Sequence, residues 1–597
     1  MNRRAKPSQS FELHKRFRGL AGGVLGLWVF GVGAVEPLYL SDRFALAGTD
    51  KSNFYARAGL LCGGLLLLVL LAYEITELVQ KLTGRAPQTA SRARLSSAGP
   101  AKGNRRRTIA DVWRELYGRI GTAGLFGALW TVSLLLSFFC SRYRGEALWG
   151  ARGWYMGLLP ELMGTAAFFL FAYVYDGPRA LPFLLLPTLA AESLLGILSR
   201  FRLGVVPSED PTKLATIGNM NWYCGYLATL MFAAAVLLWG RGSEKEICSA
   251  QESGGAQGSG GKQKALRTEG VIFLTITSLL SFMAMMIQGS ASGILALAAA
   301  FMGLWGISRG DLLRMQRLLE LLFLFFLGAM LLWTFCYFGD GINYRDSFAD
   351  FWTRTPVGAA GMVVTGMAIA YCRMNGSADG KVQSKSQPAM QPKRGVQSNP
   401  VVRTKRGKAS VSAADLVYFS VLGAMLLGTL ALGIYILAVR ITPGWGSNRG
   451  ATWYVGWQIF LQQDFLHKLV GVGPDCFFPF LRDGAAEWLE RFSDQVFDYL
   501  RLTNAHNEYL TLLANGGILG CASFAGLMGT GIFRLLRAGR RGNVPAACCG
   551  ICLLAYTANN LVSFRTALTL PLMYLLLGLG EYYLGRGSGD VKERTRK

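Results

Sequence analysis

Apolar positions in this chain do not alternate and do not form narrow stripes; they come in unbroken runs. Stretches such as "AGLLCGGLLLLVLLAY" and "LLELLFLFFLGAMLLWTFCYF" approach or exceed the ~18–20 residues that a helix needs to cross a bilayer. The runs predict fourteen membrane helices, at about 19–38, 55–74, 120–140, 155–174, 180–199, 219–239, 270–288, 292–307, 318–337, 356–372, 416–438, 507–533, 546–562 and 567–584. No small-residue cleavage site follows the first apolar core, so it is expected to stay as a first helix.

An even number of spans places both termini on one side. The connecting segments then fall into two sets, and the strongly basic runs ("GNRRRTIADVWRELYGR", "PKRGVQSNPVVRTKRGK", "RLLRAGRRGN") all fall in the set that includes the N-terminal tail. Positive residues accumulate on the cytoplasmic side, which orients the chain. The expected organisation is an N-terminal membrane region, 1–204, with a basic cytoplasmic linker at 75–119. A second membrane region, 205–584, carries cytoplasmic loops at 240–269 and 373–415 and one long outer loop at 439–505. A cytoplasmic tail, 585–597, follows.

Composition agrees with this all-α, polytopic reading. The chain is 52% hydrophobic and only 16% charged, where a soluble protein carries about a quarter charged residues. Its net charge of +25 is accounted for by orientation, so nucleic acid is not an expected partner. The stretches 82–106, 243–266 and 375–413 are rich in Gly, Ser, Gln and Lys without periodicity and read as disordered linkers. Cys549 and Cys552 form a CxxC, but in an apolar helix without His or Lys nearby it reads as packing.

The outer face has a different character. Its loop at 439–505 holds "ATWYVGWQIFLQQDFL" and "GAAEWLERFSDQVFDYLRL", both with the three-and-four spacing of amphipathic helices. Polar residues gather at the same face: Glu161 and Glu192 inside apolar spans, Asn219 and Asn221 opening the sixth, and Gln288, Ser290 and Ser292 at the turn between the seventh and eighth. Asn559, Asn560 and Arg565 close the thirteenth helix, and His506, Asn507 and Glu508 open the twelfth. Singly, such groups cap helix ends. As a set they predict one extracytoplasmic cavity, because ionisable groups in a membrane are costly and mark sites. On a helix, His506 would share a face with Tyr509, Leu510 and Leu513, and the glycines of "NGGILG" would interrupt that helix a few turns on.

The residue types narrow the chemistry. No HxxxH or HExxH spacing exists among the three histidines, so neither a metal nor another cofactor is expected. "GVGPDC" lacks the last glycine of a dinucleotide fingerprint and reads as a tight turn. No Walker sequence supports an ATP-driven pump. A transferase facing away from the cytoplasm needs a lipid-borne donor, whose pyrophosphate calls for arginines and helix N-termini. Arg449, Arg565 and the start of the twelfth helix would supply these, with His506 as the one histidine placed to act on an acceptor hydroxyl.

At this point five blocks in order, "ATIGNMNWYCGYLA", "QGSASGILAL", "NRGATWYVGWQIFLQQDFLHKLVGVGPDCFFPFL", "NAHNEYLTLLANGGILG" and "NNLVSFRTALTLPLMYLLLGLGE", resemble the O-antigen ligase / O-antigen polymerase superfamily over roughly 205–584. The resemblance implies a metal-independent, GT-C-type membrane glycosyltransferase of the bacterial cytoplasmic membrane, with its site outside the cytoplasm. Such enzymes move a glycan from undecaprenyl pyrophosphate to a glycan, lipid or protein acceptor. It further implies that Arg449 holds the donor pyrophosphate, that His506 activates or positions the acceptor, and that Asn219 and Asn221 are the polar pair of the sixth helix. One position departs from the family: Ala291 stands where many members carry an arginine, leaving Arg200, Arg202 or Arg565 to replace it. A lipid-linked glycan flippase is the alternative in another class, disfavoured because the polar groups crowd one face and a flippase opens to both.

Overall fold

The computed structural model describes residues 9–83, 109–151, 153, 155–176, 181–241, 268–385, 445–484 and 502–594. The predicted helix at 416–438, nearly all of the second amphipathic stretch of the outer loop, and most of the expected linkers lie outside the described residues. The described residues are mostly helical, and the one strand pairing among them is two residues long, Lys213–Leu214 antiparallel to Gly218–Asn219. Among the described residues, eight helices are long and apolar enough to cross a membrane, and three shorter apolar helices accompany them. This is an all-α membrane protein. Helices satisfy every backbone N–H and C=O within the segment, which is what hydrocarbon demands.

Every predicted apolar segment within the described residues is a helix, with bounds that differ at the ends. The tenth runs on from the membrane stretch to Lys385, into sequence expected to be linker. Extending an existing helix costs far less than nucleating one. The span Met220–Trp239 is apolar on all sides and buried nearly throughout, so it stands at the centre of the bundle. Around it, Phe232, Phe282, Phe301 and Phe325 meet at centroid distances of 5.1–5.9 Å, mostly edge-to-face. The helix Ala47–Leu82, by contrast, leaves Leu60, Leu61, Leu67 and Leu68 exposed.

Two features position the candidate site. The helix Glu508–Arg540 breaks at Gly517, which has φ +63°. That break frees carbonyls one turn earlier, and the "GVG" turn uses them: Val472 N–H donates to Ala514 O at 3.2 Å and Gly473 N–H to Asn515 O at 3.1 Å. A Cβ on Gly517 would sit 2.5 Å from the Leu469 carbonyl. Gly517→Val therefore combines a left-handed backbone with a clash, and a loss of about 2–4 kcal/mol is expected in thermal unfolding of the detergent-solubilised protein. Gly516→Val is the control, since nothing lies within 4 Å of its Cβ position.

The second feature is the helix Trp445–Gln462. Its buried stripe, Thr452, Val455 and Ile459, packs on Phe477, Leu481, Leu502, Ala505 and Ala514, while Tyr454, Trp457 and Leu461 face outward. The amphipathic spacing read from the sequence thus lays this helix over the start of the Glu508–Arg540 helix.

Candidate functional site

Arg449 sits in the first turns of the covering helix and His506 in the segment beneath it, just before the helix Glu508–Arg540. His506 is not on that helix, contrary to the expectation of a shared face with Tyr509. Asn507 is the N-cap, its Oδ1 accepting from Tyr509 N–H at 3.0 Å and Leu510 N–H at 3.1 Å. An N-cap has non-helical backbone, so the residue before it is free to turn away. His506 takes φ +49°, a strained conformation for a non-glycine residue.

The surroundings hold it there. His506 N–H donates to Asn504 Oδ1 at 2.9 Å, and Ala505 N–H to Thr511 Oγ1 at 3.1 Å. Thr452 Oγ1 bonds Ala505 O at 3.0 Å from the covering helix, and Trp453 Nε1–H reaches His506 O at 3.4 Å. The imidazole meets the Phe564 ring edge-on at 5.0 Å. Its Nδ1 is buried without a hydrogen-bond partner among the described residues, and so is Nε of Arg449. Arg449 Nη2 makes a long contact of 3.4 Å to Asn221 Oδ1. Burial, reinforced by the charge of Arg449, pushes the His506 pKa down to about 4, so the imidazole is neutral at pH 7.

Arg449 also interacts electrostatically with Cys224, whose Sγ lies 3.3 Å from Ser292 Oγ and 3.6 Å from Asn559 Oδ1. Four sequence blocks thus converge: the sixth-helix start, the Gln288–Ser292 turn, the covering helix and the His506 segment.

Across Phe564 lies a cavity of about 40 Å³. Its charged wall is Arg565, with Nη1 2.9 Å from Glu161 Oε1 and Nε 2.7 Å from Glu508 Oε1. Arg565 N–H also donates to Glu508 Oε2 at 2.9 Å. Tyr574 OH donates to Glu161 Oε2 at 2.9 Å and accepts from Trp130 Nε1–H at 2.6 Å. Burial works against the charge of Arg565, but Glu161 and Glu508 outweigh it, and its pKa is raised. Asp475 joins the same cavity. Its Oδ2 accepts from Ala151 N–H at 2.7 Å and Met156 N–H at 3.0 Å, yet burial lifts its pKa to about 7. Sequence reading passed over Asp475, treating "GVGPDC" as a turn; an acid in an otherwise apolar turn was the available signal.

Several candidates have their polar atoms committed elsewhere. Asn219 caps the helix Met220–Trp239, its Oδ1 accepting from Asn221 N–H at 2.8 Å. Gln288 braces its own turn through Ser290 N–H and Ser290 O. Glu192 stands apart, hydrogen-bonded to Thr216 beside buried Lys51. Arg200 donates to the carbonyls of Ile287, Gln288 and Pro211, so its guanidinium braces the chain, as that of Arg565 braces two carboxylates. Among the described residues no group of three or more His, Cys, Asp or Glu is placed to hold a metal ion. No family model and no curated protein matches this chain.

Proposed function

We propose that this protein is an extracytoplasmic glycosyltransferase of the O-antigen ligase / polymerase type, embedded through fourteen spans in a bacterial cytoplasmic membrane with both termini inside. It transfers a glycan from undecaprenyl pyrophosphate to an acceptor hydroxyl on a glycan, lipid or protein. The observation that supports this reading is that Arg449 Nε and His506 Nδ1, two neighbouring groups, are buried and unpartnered among the described residues. Leaving such groups unpaired costs about 1–3 kcal/mol each, so a pair of them points to a ligand that satisfies both.

In this reading Arg449 pairs with the donor pyrophosphate and Asn221 holds the guanidinium. The acceptor oxygen attacks the anomeric carbon, a new C–O bond forms, and the bond to pyrophosphate breaks, leaving polyprenyl pyrophosphate. The acceptor proton passes to His506 Nδ1. The pyrophosphate also offsets the positive charge that keeps His506 a weak base, so the base strengthens as donor binds.

The test is polymer length and acceptor attachment in cells carrying Arg449→Ala at unchanged protein level. Glycan transfer is expected to fall about 10²–10³-fold, with lipid-linked units accumulating on the outer leaflet. Normal transfer would remove Arg449 from the site, and accumulation on the inner leaflet would point to a flippase.

A further inference from the structure

A second, larger cavity of about 280 Å³ opens at the outer end of the span Leu312–Phe338. Trp333, Tyr337, Arg345, Thr353 and Arg354 line it. It lies on the same face as the candidate site. Asn343 N–H, from the intervening loop, donates to Arg200 O at 2.9 Å, and Tyr344 lies 4.9 Å from the Arg200 guanidinium, which itself holds the Gln288 carbonyl.

The charges in this cavity do not cancel. Asp350 Oδ1 pairs with Arg354 Nε at 3.3 Å, whereas Arg345 forms no ion pair among the described residues. Gly341, at φ +71°, leaves the space over which Arg345 Nη2 lies, 3.7 Å from where a Cβ would stand. The rim is aromatic: Trp333 and Tyr337 pack at a tilt with centroids 5.5 Å apart, and Phe335, Tyr337 and Phe338 are 53%, 69% and 83% exposed. Aromatic side chains at the end of a spanning helix sit at headgroup level. A guanidinium at that level pairs bidentately with phosphate oxygens. A soluble anion would leave the three aromatic rings in water; a lipid covers them with its chain.

We propose that this cavity binds the phosphate headgroup of a membrane lipid, with Arg345 as the principal cation, Arg354 as the second, and the chain lying along Phe335 and Phe338. This site is distinct from that of Arg449 and His506 and does not depend on glycan transfer. Two lipids share the required chemistry, an anionic phospholipid of the bilayer and a polyprenyl phosphate.

The test uses the full chain in detergent, loaded separately with phosphatidylglycerol, undecaprenyl phosphate and a diacylglycerol of matching chains, with retained lipid counted by native mass spectrometry. Arg345→Gln/Arg354→Gln is expected to reduce retention of the phosphate-headed lipid by roughly tenfold and leave diacylglycerol unchanged. Retention of phosphatidylglycerol identifies a bilayer lipid, and selective retention of undecaprenyl phosphate identifies the carrier. Arg449→Ala is expected to leave this lipid in place, and an equal loss in that variant would overturn the site's independence. Arg345→Lys/Arg354→Lys keeps the charge without the guanidinium fork and should retain an intermediate amount, which separates binding from misfolding. Equal retention by wild type and the double Gln variant would overturn the proposal.

Discussion

His506→Ala is expected to slow glycan transfer by roughly 10²–10⁴-fold, the range a positioned base contributes, and the pH dependence of the wild type should show why. In the free protein, burial and Arg449 hold His506 near pKa 4. The acid limb of kcat/KM, which reports the free enzyme, should therefore lie well below the ordinary histidine value of about 6.5. The acid limb of kcat should lie higher, because a bound pyrophosphate offsets the charge of Arg449. Arg449→Gln should move the kcat/KM limb toward neutrality. Coincident limbs in the wild type would show that His506 does not feel the donor. Stability has its own sign here. A folded pKa below the unfolded one means that the contribution of His506 is fully present above about pH 6.5 and is lost as pH falls toward 4. His506→Ala should accordingly lose less stability than the wild type does as pH falls through that window.

Arg565→Leu should be among the most destabilising substitutions in the molecule, at about 3–5 kcal/mol, because it leaves Glu161 and Glu508 facing each other buried without a counter-charge. The checking measurement is thermal unfolding of the detergent-solubilised protein. The triple variant Glu161→Leu/Glu508→Leu/Arg565→Leu should recover part of the loss, since removing all the charges is cheaper than stranding some. If the single variant unfolded like the wild type, Arg565 would be free to bind substrate, as its position in the sequence suggested. Its consequence for the site is indirect. Arg565 follows Phe564, whose ring packs on His506, and its backbone N–H is tied to Glu508, so the ion-pair cluster anchors one wall against the histidine.

Much of this molecule was readable from the residues alone. Runs of apolar side chains dictate helices in a bilayer, so each predicted segment within the described residues is found as a helix. The three-and-four spacing of "ATWYVGWQIFLQQDFL" announced an amphipathic helix, and "NGG" announced the break at Gly517. These are local properties, set by backbone hydrogen bonding and by which faces are apolar. That the Asn221, Ser292 and His506 blocks lie at neighbouring helix ends was also within reach, because helix order places helix ends without any packing detail.

Which of those polar groups are committed and which are free was decided by tertiary structure alone. Asn219, Asn507, Gln288, Arg200 and Arg565 share the chemistry of binding residues, but neighbouring amides, carbonyls or carboxylates occupy them. Arg449 and His506 look no different in the sequence, yet the covering helix buries them and supplies no partner for Nε or Nδ1. Asp475 lines the cavity, two residues beyond a turn that is hydrogen-bonded to the carbonyls of Ala514 and Asn515. Residue type limits what a side chain can bond; the packing of segments far apart in the chain determines whether that capacity is used up inside the protein or left for a ligand.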